Sequence, residues 1–172
     1  MTLRSQDVLV ILKLVARGNE PWTYNGLAVE LDLSPSQVHA AVRRAVKSGL
    51  AYEANDQIRV HTRNLEEFLV HGIRYFFVPE RGAKTRGMAT LTSAPPFAAL
   101  FLSGEEPIVW PDASGDLRGE SLAPIYKSAP KAAKSDPELY ELLVIADALR
   151  AGRARERQAA VKELKKKLQK YG

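Results

Sequence analysis

Two helical stretches joined by nothing but Asp32-Leu33 constrain this chain more than any other feature. Thr23 is placed to cap a short helix over 24–31. Ser34 is placed to cap the next, with Pro35 at its first position, where the N–H that proline lacks has no intrahelical acceptor anyway. Ser34 and Gln37 also stand at capping-box spacing, at which each side chain accepts the other's backbone N–H. The second helix runs to about residue 47, and Gly49 ends it. Its apolar stripe is Val38, Ala41, Ala45 and Val46, which leaves Ser36, Gln37, His39, Ala40, Arg43, Arg44 and Lys47 mostly outside. That outer face is polar and basic, and it contains no acid.

The flanking segments extend the pattern. Ser5 is an expected N-cap for a helix over 6–17, with Val8, Leu9, Leu12 and Val15 at helical spacing and Gly18-Asn19 as the stop. Ile11 and Leu14 widen the stripe, so this helix is expected to be buried on most sides. After Gly49 the period changes to two. Residues 50–53 and 57–61 read as strands joined by the hairpin turn Asn55-Asp56, and Asn64 then caps a helix through His71.

Helices, a tight turn, a basic helix and a β-hairpin in that order make a winged helix-turn-helix. The strings Leu27-Ala28-Val29-Glu30-Leu31-Asp32-Leu33-Ser34-Pro35-Ser36-Gln37-Val38 and Ala45-Val46-Lys47-Ser48-Gly49-Leu50 resemble the MarR-like winged-helix DNA-binding domains of bacterial and archaeal regulators. The resemblance covers about residues 5–62. It implies that the helix over 34–48 enters the major groove of double-stranded DNA and that the 51–61 wing tracks the backbone or the minor groove. Gln37 then suits adenine, and Arg43 or Arg44 suits guanine or phosphate. Ser34, Ser36 and the free N–H groups of the helix start suit a phosphate oxygen. His39 and Lys47 share that face, and Arg59 and His61 share a face of the wing. Two alternatives stay open: His39 as a plain surface residue, and Arg43 paired with Glu30.

Charge supports a polyanion partner once it is divided along the chain. The net +5 splits into −1 over 1–33, +3 over 34–48, −2 over 49–73, +3 over 74–91, −4 over 92–152 and +6 over 153–172. Clustered cations carry more information about a partner than the total does. For the last block alone, a solvated helix face explains the charge without a ligand.

The absence of cysteine excludes disulfides, thiolate zinc sites, iron–sulfur clusters and a cysteine nucleophile. The three histidines offer no third ligand at metal spacing, so neither a metal nor a cofactor is expected. Gly82-Ala83-Lys84-Thr85 lacks the glycines of a phosphate loop. Ser103-Gly104-Glu105-Glu106 reads as an acidic turn, and Asp112, Asp116 and Glu120 as a solvated loop. No serine–histidine–acid set assembles, and nothing argues for an enzyme. The apolar run over 8–16 is interrupted by Lys13 and is too short to span a bilayer. Asp7 does not suit the basic start of a signal peptide, so a soluble, cytoplasmic protein is expected.

The second half is harder to read. Residues 73–78 are expected to form a strand ended by Pro79, and 86–91 its return after a turn at 80–82. Residues 108–110 form another apolar run. Residues 119–128 read as irregular chain and 128–135 as a linker of small residues. Two helices follow, one from Asp136-Pro137 and one over 154–170, whose narrow stripe Val161, Leu164, Leu168 and Tyr171 packs on its own core or on a partner. Tyr75, Phe76 and Phe77 are expected in the core. This makes RNA stacking among Arg74, Arg81, Lys84 and Arg86 the lesser reading.

The strings Arg81-Gly82-Ala83-Lys84-Thr85-Arg86-Gly87, Ser93-Ala94-Pro95-Pro96 and Ala146-Asp147-Ala148-Leu149-Arg150-Ala151-Gly152-Arg153-Ala154-Arg155-Glu156-Arg157 resemble uncharacterised bacterial MarR-like proteins. Some of these resemble the antitoxins of nucleotidyltransferase-type abortive-infection pairs, in which a winged helix represses its own operon.

The expectation is therefore an α+β chain. A winged helix-turn-helix over 1–72 precedes a mixed strand and loop region over 73–135 and a helical region over 136–172 for dimerisation or partner contact. The expected function is a sequence-specific DNA-binding regulator, a repressor acting as a homodimer. The alternative is an antitoxin that holds a partner toxin through residues 74–172 and autoregulates its operon.

Overall fold

Helix α1 (Ser5–Arg17) is the element around which the rest of the chain gathers in the computed structural model, which describes residues 2–101 and 106–171. Every residue of 6–15 is buried, Asp7 and Lys13 included. Arg4 rather than Ser5 is the N-cap, and its N–H donates to the Asp7 carboxylate at 2.8 Å. Helices α2 (Tyr24–Leu31) and α3 (Pro35–Lys47) follow, joined at Asp32, whose positive φ of 54° turns the chain sharply. Thr23 and Ser34 cap these helices as their positions predict.

Strands β1 (Ala51–Ala54) and β2 (Gln57–Val60) pair antiparallel, from Ala51 opposite Val60 to Ala54 opposite Gln57. Asn55 and Asp56 both adopt positive φ, the geometry a two-residue hairpin needs for the twist of its strands. Helix α4 (Thr62–His71) is capped by His61, whose Nδ1 accepts the Asn64 N–H. Asn64 does not cap the helix as expected. Its side chain instead donates to the Gly49 carbonyl at 2.7 Å and ties the start of α4 to the end of α3.

The second half departs from expectation in four places. Residues 73–78 form no strand: α5 (Ile73–Phe76) is one helical turn that buries Ile73 and leaves Tyr75, Phe76 and Val78 exposed. Strand β3 (Arg81–Ala89) takes in Arg81 and Gly82 of the expected turn, and its pairing with β5 shifts register between Gly82 and Lys84. Residues expected to be irregular form β5 (Leu117–Leu122). The expected linker contains α6 (Ala129–Lys134), whose small side chains bury closely against α7 and α2.

The expected run at 108–110 is β4 (Ile108–Pro111). β3 pairs antiparallel with both β4 and β5, while β4 and β5 pair parallel, so the three strands close on themselves. That closure brings backbones together tightly at Gly87, where an added Cβ would collide with the Trp110 carbonyl. The Gly82-Ala83-Lys84-Thr85 string lies inside β3, and Lys84 pairs with Glu106. Most of the expected acidic turn at 103–106 lies outside the described residues.

Helices α7 (Pro137–Ala151) and α8 (Ala154–Tyr171) pack back onto α1. Asp136 caps α7 through one carboxylate oxygen and receives Lys13 Nζ at 2.7 Å on the other. Buried Asp147 accepts from Thr90 Oγ1 and Trp110 Nε1, both at 2.7 Å, and pairs with Arg150. Arg150 in turn donates to the carbonyls of Phe77 and Ala123, so this pair fastens β4 and three loop segments, at Thr90, Phe77 and Ala123, to α7.

Most of the α8 stripe is covered by its own chain: Leu164, Leu168 and Tyr171 are buried, and Val161 is half-buried. Burial of leucines such as these contributes about 1.5–3 kcal/mol each. The buried side chains form one continuous cluster from Val8 to Tyr171, and the class is α+β. Among the described residues no helix is long and apolar enough to cross a membrane.

Candidate nucleic-acid interface

The candidate interface is the outer side of α3. Its inner side, Val38, Ala41, Val42 and Ala45, is buried against α1 and α2, with Val46 half-buried at the edge. Helical spacing then turns Ser36, His39, Arg43 and Lys47 outward, and all four are exposed. Glu30 belongs to Arg17 at 3.3 Å and to Lys13 at 3.5 Å, so it is not the partner of Arg43.

The helix start is a complete capping box. Ser34 Oγ accepts the Gln37 N–H at 3.1 Å, and Gln37 Oε1 accepts the Ser34 N–H at 2.8 Å. Ser34 Oγ and Ser36 Oγ share a hydrogen bond at 3.1 Å. Gln37 is therefore occupied in holding the helix end. A bidentate adenine contact needs the same carboxamide oxygen, so it would compete with the cap.

Arg44 is a correction. It is buried behind α3, with Nε and Nη2 each donating to the Asp7 carboxylate at 2.8 Å. The hydrogen bonds to Asp7 raise its pKa above the ordinary arginine value against the opposing effect of burial. A side chain held this way reaches no groove.

The wing residues are also committed to the fold. Arg59 stacks its guanidinium 4.2 Å from the Tyr171 ring centre and donates to the Gly18 carbonyl at 3.1 Å. His61 caps α4 and meets the Tyr52 ring edge-on at 6.1 Å. At the exposed tip stand Glu53, Asn55 and Asp56, so the end of the wing carries acid and no base.

Sequence reasoning missed one neighbour of the face. Tyr24 lies tilted against His39, with ring centres 5.0 Å apart, and meets Trp22 edge-on at 5.2 Å, which gives the front end of α3 an aromatic border. The wing lies beside the same border, since Trp22 and Tyr24 line one cavity with Asp56, Gln57 and Arg59, and burial, then the charge of Glu53, push the Tyr24 hydroxyl above its ordinary pKa. No periodicity signals this contact, because it depends on how α2 crosses α3. No family model, curated protein or solved structure matches the chain.

Proposed function

We propose that this chain is a sequence-specific regulator that binds double-stranded DNA by laying the exposed side of α3 in the major groove. The observation that carries the reading is the acid-free face Ser36, His39, Arg43 and Lys47 on the second helix of a helix-turn-helix, ahead of a β-hairpin. The MarR-like resemblance of residues 27–38 and 45–50 supports the same use. Arg43 is the base-reading side chain, Lys47 and Ser36 hold phosphates, and His39 is set by Tyr24. Such a regulator works in the cytoplasm as a homodimer, usually a repressor. Its two reading helices would meet half-sites about one helical turn apart. Selection of bound duplexes from a randomised library tests this: a two-fold-symmetric site is expected, and no enriched sequence contradicts the reading.

A second reading is favoured by one specific surface. Tyr75, Phe76 and Val78 are 72%, 64% and 68% exposed, with Arg74 5.3 Å from the Tyr75 ring centre. Contiguous exposed apolar side chains of this size mark protein contacts. In this reading an antitoxin holds its toxin through this part of residues 74–172 and represses their operon through α3. Co-purification with the product of the neighbouring gene, lost on Phe76→Asp, is the expected result. Co-purification that survives Phe76→Asp removes the patch from the account.

A further inference from the structure

The wing brings no free cation toward a polyanion, since Glu53 and Asp56 occupy its tip and Arg59 is folded onto Tyr171. The cations near it come from α8. Opposite the buried line Ala160, Leu164, Leu168 and Tyr171, helical spacing places Arg155, Lys162, Lys165, Lys166 and Lys170, all exposed. Lys166 lies 3.2 Å from Glu163. Among the described residues no carboxylate lies within 4.0 Å of the other four cations. Lys167 is different: it turns inward to Glu138 at 3.0 Å and Glu141 at 3.4 Å.

Two contacts join this stripe to the reading head. Tyr171 Oη accepts the Val60 N–H at 2.9 Å, which docks the end of α8 on β2 of the wing. Arg63, in the first turn of α4, shares a groove with Lys165 and Gln169; Glu66 is the acid that lines it. The Asn64–Gly49 bond holds that turn of α4 against the end of α3, next to Lys47. Lys47, Arg63 and Lys165 thus stand on three elements tied in succession: the end of α3, the first turn of α4 and α8. From residue 155 to residue 170 the stripe is about 22 Å long at a rise of 1.5 Å per residue. That length matches about six base-pair steps of 3.4 Å.

Resting on the DNA reading of α3, we propose that the exposed side of α8 is a second, sequence-independent contact with the phosphate backbone of the same duplex, in the place where a basic wing would act. Neutralising a phosphate releases a condensed counterion, so each contact adds about 0.9 to the slope of log K against log salt.

The test is a salt titration of duplex binding, by fluorescence anisotropy, on a library-selected site and on an unrelated sequence. For Lys162→Gln/Lys165→Gln/Lys166→Gln/Lys170→Gln the expected result is a slope smaller by about 3 to 4 on both duplexes, with the ratio between them kept. Gln158→Lys/Gln169→Lys should steepen the slope by about 2. These positions are exposed, so an unchanged melting temperature accompanies both results. A wild-type slope in both variants overturns the proposal while leaving α3 as the reader. Absence of salt-sensitive duplex binding by the wild-type chain overturns both.

Discussion

Arg44 grips Asp7 through two hydrogen bonds of 2.8 Å, with the carboxylate fully buried. Arg43, its neighbour in sequence, is exposed on the other side of α3. Adjacent arginines thus have opposite tasks: one fastens α3 to α1 and the other faces solvent.

Removing Arg44 should destabilise the fold. Breaking one partner out of a buried pair costs about 3–5 kcal/mol, because the other charge stays buried without compensation. Urea unfolding of Arg44→Ala should show a loss of that size, and Arg43→Ala a change within about 0.5 kcal/mol. Equal, small effects from both substitutions would mean that Arg44 is not held by Asp7 in solution.

Tyr171→Phe should cost about 1–3 kcal/mol, because the Val60 N–H loses its acceptor in a buried position. Faster amide exchange at Val60 is the local sign of that loss. Unchanged exchange there would show that α8 does not dock on the wing.

Asp112 provides a pH test. The hydrogen bond from Lys134 first, then those from the Ser114 backbone N–H and hydroxyl, hold its carboxyl below the ordinary aspartate value. A folded-state pKa lower than the unfolded one adds stability at pH above the unfolded value, and that increment is lost as the pH falls through the folded value. Carboxyl-carbon NMR should find the Asp112 midpoint below the ordinary range, and Lys134→Met should raise it. A midpoint unmoved by Lys134→Met contradicts the contact.

The first third of the chain was legible because its signals are local. The Ser34–Gln37 box, Pro35, the Asn55-Asp56 turn and the stop at Gly49 each depend on residues within a few positions of one another. Arg44 was misread because Asp7 lies 37 residues away, beyond any periodicity window. Residues 73–78 carry strand-forming aromatics, yet a helical turn that buries Ile73 prevailed. Small residues at 129–133 read as a linker, although smallness is what lets α6 approach α7 and α2 closely. β5 exists only through pairing with distant strands: β3 antiparallel, from Arg81 opposite Leu122 to Gly87 opposite Leu117, and β4 parallel.

The central claim is that α3 reads DNA with the side chains it leaves outside. Anisotropy titrations of Arg43→Ala and Lys47→Ala on a library-selected duplex test it most directly. Arg43→Ala should lose about 1–3 kcal/mol of binding and relax the preference at one base position. Lys47→Ala should weaken binding to all sequences alike and lower the salt slope by about 1. Wild-type affinity, preference and salt slope in both variants would contradict the account.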